Sequence, residues 1–132
     1  MTTFNSLLLL LPLALLAGCS QGIKGSGVAK TETRTVGEFR SISHDAVGSV
    51  SVKIGEPQNV SITFDDNLID FVETQVIDGM LHIKMSESFS SSLGMNVTIS
   101  VPSIEGLKVT GVGSLDATGI DSDDLAIQVS GV

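Results

Sequence analysis

An all-β domain behind a short apolar leader is the fold class this sequence predicts. Two observations carry it. Apolar residues recur with period two in six separate stretches, and the breaks between the stretches are Gly, Pro and Asp-Gly turn residues. A repeat with a spacing near twenty residues is what one coil of a β-solenoid requires. Periodicity and repeat together leave a β-solenoid and a β-sandwich as even alternatives.

Composition narrows the functional classes. The chain has 132 residues, with 7 Lys+Arg against 15 Asp+Glu and a formal charge of −8. That length holds one domain, or one domain and a targeting segment. The acidic balance argues against nucleic acid as the main partner, because phosphate binding needs a basic surface. One cysteine excludes an internal disulfide framework. With no Trp or Tyr and five Phe, aromatic platforms for sugars or bases are scarce.

The first element is the leader. Leu7–Leu16 reads LLLLLPLALL; ten residues are too few to span a bilayer and suit the apolar core of a secretory signal peptide. Leu16, Ala17, Gly18 and Cys19 follow the pattern of a bacterial lipobox: a branched apolar residue, two small residues, then the cysteine that receives lipid. Cleavage before Cys19 leaves residues 19–132, and two or more acyl chains there would anchor the protein stably. Ser20, not Asp, follows the cysteine, which by the sorting rule for Gram-negative lipoproteins predicts the outer membrane, facing periplasm or exterior. The segment Met1–Ser6 lacks Lys and Arg, so the basic start usual in signal peptides is missing, or the true start lies upstream. The expected organisation is a signal peptide over 1–18, a lipidated tether over 19–37 and a β domain over 38–132.

Gly22, Gly25, Gly27 and Gly37, set among Ser, Thr and Lys, give the tether its character, with a first strand near Val28–Thr35. The alternating sets follow in order: Val50, Val52 and Ile54; Val60, Ile62 and Phe64; Leu81, Ile83 and Met85; Val97, Ile99 and Val101; Leu107 and Val109; Leu125, Ile127 and Val129. Each predicts a strand with one buried face. Gly55–Asn59 and Pro102-Ser103 are turns, and Asp78-Gly79 is a two-residue hairpin signal. One short helical turn is expected near 66–72, with Asp65 or Asp66 as its N-cap and Leu68, Phe71 and Val72 as its apolar face. Ser86–Gly94 is Ser-rich and is expected to be a flexible loop.

Thr110-Gly111-Val112 recurs as Ser130-Gly131-Val132, and Thr110–Leu115 matches Asp45–Val50 position by position in residue type. Glycines at such places let backbones approach closely. Together with Phe39-Arg40-Ser41-Ile42, the run from Glu73 to Ile83, Val97–Ile104 and Leu107–Leu115, this order of motifs resembles the head GIN domain (auto-transporter adhesin) family, a bacterial family of unknown function. The resemblance covers Gly37 to the end. It implies a right-handed parallel β-helix-like solenoid, a secreted and often lipoprotein context, and no known catalytic residue. The family's Ser-Gly-Ser-Gly pattern is degraded here, and its members usually continue through further coils. Stopping at Val132 inside a coil predicts a truncated form of a longer protein, or an end that pairs with a second copy, because the strand at Leu125–Val129 would otherwise carry an open edge.

Candidate chemistry is thin. Asp121, Asp123 and Asp124 could offer oxygens to a hard cation, but the calcium-loop pattern is missing and a solvated turn explains them. Asp65, Asp66 and Asp70 could be paired carboxylates acting on a glycan, but helix capping explains them as well. His44 and His82 lack metal-ligand spacing and are expected to be ordinary strand residues. No nucleophile elbow or phosphate loop is present, and no cofactor is expected. The expectation is a non-enzymatic, lipid-anchored envelope protein with a surface for a glycan or envelope protein. A carbohydrate-active enzyme on a β-helix, or a component that stacks into a larger envelope assembly, are the alternatives.

Overall fold

The period-two pattern becomes strand almost wherever it occurs. A computed structural model describes residues 21–111, 113–121 and 125–130. The strands are β1 (Ile23–Lys24), β2 (Ala29–Thr33), β3 (Ser41–Asp45), β4 (Ser49–Ile54), β5 (Asn59–Asp65), β6 (Val72–Ile77), β7 (Met80–Met85), β8 (Phe89–Ser90), β9 (Asn96–Val101), β10 (Gly106–Val109), β11 (Leu115–Thr118) and β12 (Ala126–Val129). A single 3₁₀ turn, Ile69–Phe71, lies where helix was expected. No helix among the described residues is long and apolar enough to cross a membrane.

Two five-stranded sheets share one core. Their orders are β12-β10-β3-β7-β6 and β11-β4-β9-β5-β2, and β1 pairs with β8 in a separate two-stranded ribbon. The chain passes from the first sheet to the second at β3–β4, β7–β9 and β10–β11, and these strands pair in parallel. The expected parallel solenoid is therefore not a closed one. Strand β6 runs antiparallel to β7, and β5 runs antiparallel to both β9 and β2. The cause of the first reversal is local. Asp78 and Gly79 have φ of 49° and 75°, the two positive values a tight hairpin turn requires, and they fold β6 directly back along β7.

The core contains most of the inward residues that the alternation marks, with Ile54 and Met85 half-buried at strand ends. Val50, Val52, Val60, Ile62, Phe64, Leu81, Ile83, Val97, Ile99, Val101, Leu107 and Val109 are all buried. The last set differs: Leu125 is half-buried, and Ile127 and Val129 are 53% and 63% exposed. Strand β12 pairs only with β10 among the described residues, so its inward side chains have no neighbour strand beyond them.

The internal repeat is real stacking. Strands β3 and β4 pair with β10 and β11 at one constant offset of 65 residues, from Ser41 opposite Gly106 to Lys53 opposite Thr118. The corners between them stack too: the Thr110 N–H donates to His44 O, and the Ser114 hydroxyl to Ser49 Oγ at 3.0 Å. A Cβ on Gly113 would lie 1.6 Å from Gly48 O, so only glycine fits there. The twenty-residue spacing is the β10–β12 register, with Leu107 opposite Ile127.

Register also defines two ends. One, the arm end, carries 46–48, 86–94, 111 and 113, with 65–71 and the segment 22–28 packed there. The other, the groove end, carries 38–40, 55–58, 78–79, 102–105 and 119–121. Part of the segment read as tether is strand: β2 is a charged edge strand, where Glu32 pairs with Lys30 (2.7 Å) and Arg34 (3.2 Å).

Candidate functional site

Turn residues build the groove end. Gly55, at φ 94°, turns the chain out of β4, and its N–H donates to Val101 O at 2.8 Å. The Ser100 hydroxyl donates to Pro57 O at 2.7 Å. The Gln58 amide latches the entry to β3: its Nε2 donates to Gly37 O at 3.0 Å, and its Oε1 accepts from the Phe39 N–H at 3.3 Å. The Glu105 N–H donates to Arg40 O at 2.6 Å, and their side chains pair at 3.3 Å.

Two cavities open here, of about 750 and 790 Å³, and Pro102, Ser103 and Glu105 line both. Glu38, Arg40, Asp78 and Glu105 line the first, with Arg40 paired to Glu105. Ile54, Ile104, Ile120 and Leu125 give the second an apolar wall, with Asp121 at its rim. Three carboxylates against one guanidinium repel an anionic ligand. The exposed hydroxyl, amide and carboxylate groups suit a hydroxyl-rich or cationic one. Sequence reasoning missed this site: its residues come from separate turns that only the fold brings together, although Gly55–Asn59, Asp78-Gly79 and Pro102-Ser103 were each recognisable as turns.

The carboxylates proposed for chemistry lie elsewhere. Asp65 is fully buried at the end of β5 and accepts hydrogen bonds from the Gly27 N–H (2.7 Å) and the Ser91 hydroxyl. The Ser91 hydroxyl, and then the Gly27 N–H, hold its carboxyl below the usual carboxylate range against the opposing effect of burial. Asp66 accepts from the Ser26 hydroxyl at 2.5 Å, and Asp70 is exposed in the 3₁₀ turn. Neither Asp65 nor Asp66 caps that turn: its N-cap is Leu68, with no side-chain hydrogen bond. Both carboxylates are committed to the 22–28 segment, which packs beside them, and none of the three aspartates lines the two large cavities.

His44 is buried in β3 facing the core, and neither ring nitrogen has a partner among the described residues. Burial pushes its pKa down, opposed by the adjacent Asp45. His82 sits half-buried on β7. No group of three or more His, Cys, Asp or Glu among the described residues could hold a metal ion. Asp121 is exposed, while Asp123, Asp124 and the lipobox residues Leu16, Ala17, Gly18 and Cys19 lie outside the described residues.

The family model described as "Putative auto-transporter adhesin, head GIN domain" matches residues 38–132. The chain belongs to that family. No curated protein matches this head GIN chain. Among solved structures, a "putative adhesin" from Bacteroides fragilis NCTC 9343 is 26% identical, with a TM-score of 0.72, covering 83% of this chain and 54% of that one. A "putative adhesin" from Parabacteroides merdae ATCC 43184 is 23% identical, with a TM-score of 0.73 and coverages of 81% and 46%. A "Putative lipid binding protein" from Parabacteroides distasonis ATCC 8503 is 20% identical, with a TM-score of 0.60 and coverages of 72% and 43%. This head GIN chain spans about half the length of the solved structures it resembles.

Proposed function

We propose that the protein is a non-enzymatic adhesin of the cell envelope, anchored to the outer membrane through lipid on Cys19, that binds a glycan or an envelope protein at the groove end. The observation that carries the proposal is the family match over 38–132, a family described by adhesion. Two features support it. The lipobox pattern at Leu16–Cys19 supplies an anchor. The two adjoining cavities supply a concave surface whose charge disfavours anions and suits neutral polyhydroxyl chains. Within this proposal the parallel stacks β7-β3-β10-β12 and β9-β4-β11 are coils of a β-helix-like solenoid, to which β2, β5 and β6 are added antiparallel.

The test has two arms. Intact mass of the protein extracted from its native membrane should equal residues 19–132 plus acyl chains; a product without acyl chains refutes the anchor. Binding of the domain to arrayed envelope glycans and to solubilised envelope proteins should be saturable and should weaken on Arg40→Ala or Ser103→Trp. Binding that is unchanged in both variants removes the groove end from the proposal.

A further inference from the structure

The segment that follows the anchor position is clasped to one end of the domain. Ile23–Lys24 pair in parallel with Phe89–Ser90. The Ile23 N–H donates to Ser88 O at 2.8 Å, and the Gly25 N–H to Ser90 O at 2.7 Å. Asn67 closes the clasp from the other side: its Oδ1 accepts from the Ser26 N–H, and its Nδ2 donates to Lys24 O, both at 2.9 Å. The fit is tight enough to demand glycine. A Cβ on Gly25 would lie 2.5 Å from the Asp65 carboxylate, and one on Gly22 would lie 2.7 Å from the Ser88 backbone.

Covalent geometry then limits the reach. Four peptide steps separate Cys19 from Ile23, about 14 Å when fully extended. The groove end lies a further strand length away, about 20 Å along the six residues of β9. We propose that the arm end is the membrane-facing end, seated on the lipid headgroups by its 86–94 loop, and that the groove end is held outward. The proposal rests on the anchor at Cys19.

Exposed apolar side chains occur at both ends, Ile77 and Ile120 at the groove end among them, so the short clasped arm is what sets the orientation. Val28, Val47 and Leu93 are exposed apolar side chains in the loops of the arm end, suited to the apolar edge of a headgroup layer.

The experiment uses the acylated full chain in vesicles that contain an acceptor dye on lipid headgroups. A donor dye is placed on a cysteine introduced by Leu93→Cys or, separately, by Asp78→Cys; the Cys19 sulfur is in thioether linkage and takes no label. Energy transfer should be severalfold greater from position 93 than from position 78. Inserting about ten Gly and Ser residues between Ser20 and Gln21 should erase most of that difference. Vesicle-bound protein with equal or reversed transfer overturns the orientation and leaves the anchor standing. A difference untouched by the longer linker also overturns it, because the short clasped arm would not be its cause. Protein that fails to float with the vesicles refutes the anchor, and the orientation with it.

Discussion

Mild acid should destabilise this domain through His44. The imidazole is 1% exposed, faces the core, and has no partner for either nitrogen among the described residues. Burial holds its native pKa below the ordinary value, with Asp45 opposing. A histidine free in the unfolded chain takes up a proton near pH 6.5, so below that pH the unfolded state binds protons that the native state refuses. The stability tied to the neutral ring is therefore complete above about pH 6.5. It is lost as the pH falls toward the lowered native value, at up to about 1.4 kcal/mol per pH unit. Between pH 7.5 and 5.5 the loss is at most about 1.4 kcal/mol, because only the lower unit of that interval lies below the unfolded pKa. Urea midpoints at the two pH values would measure it, with His44→Leu as the comparison. That variant should lose less stability on acidification than the wild type. It should also be the more stable at neutral pH, since two unsatisfied buried nitrogens cost roughly 1–3 kcal/mol. Equal losses in the two proteins would refute the assignment, as would a His44→Leu variant that is less stable at both pH values.

Other expectations are more local. Gly113→Ala should cost about 1–3 kcal/mol or more, because the new Cβ meets Gly48 O, whereas Gly37→Ala meets nothing within 4 Å and should leave the thermal midpoint nearly unchanged. Asp65→Asn should lower the urea midpoint and speed tryptic cleavage at Lys24 and Lys30, since the charge that accepts from Ser91 and Gly27 is gone. The wild-type contribution of Asp65 is present above the ordinary carboxylate range and is lost only as the pH falls through the lowered native pKa, so an acid titration of the midpoint should show it below about pH 4. Arg40→Ala should change stability by less than about 1 kcal/mol, because the pair with Glu105 is exposed on both sides, while weakening ligand binding at the groove.

Alternation was the most legible part of the fold, because a strand with one buried face writes its geometry into every second residue. Val60, Ile62 and Phe64 are buried as the pattern marks them. Asp78-Gly79 was legible for a similar reason: the turn has few alternatives in residue type. The pairing partners were not legible. Nothing in Asn59–Asp65 says that it lies against β9, 37 positions on from Asn59 at Asn96, and not against β4. The role of Asp65 was hidden as well. An acidic pair before an apolar turn fits a helix cap, and only the arrival of Gly27 and Ser91 from distant segments shows a buried clasp. Phe89 sits in a Ser-rich run that reads as loop, yet its ring meets Phe64 edge-to-face at 5.2 Å and β8 pairs with β1.

The place where the repeat breaks is the place where the arm binds. From β3–β4 to β10–β11 the offset stays at 65 across the corner, so the two corners are equal in length and must stack backbone on backbone. From β3–β4 to β7–β9 the offset changes, from 39 at Ser41–Met80 to 47 at Ser49–Asn96. The corner after β7 is therefore eight residues longer than the corner after β3. Those residues are not slack. They form β8, which supplies the parallel edge for β1, and they bring Ser91 to the Asp65 carboxylate. A corner of the shorter length has no room for either contact, and the arm would be free from Gly22 onward. Shortening 85–95 to the three-residue length of 46–48 should thus leave the β3, β4, β10 and β11 stack in place while releasing the segment 22–28, which hydrogen exchange of the Ile23, Gly25 and Gly27 amides would report. Continued protection of those three amides in the shortened chain would show that Asn67 and Asp65 hold the arm without β8.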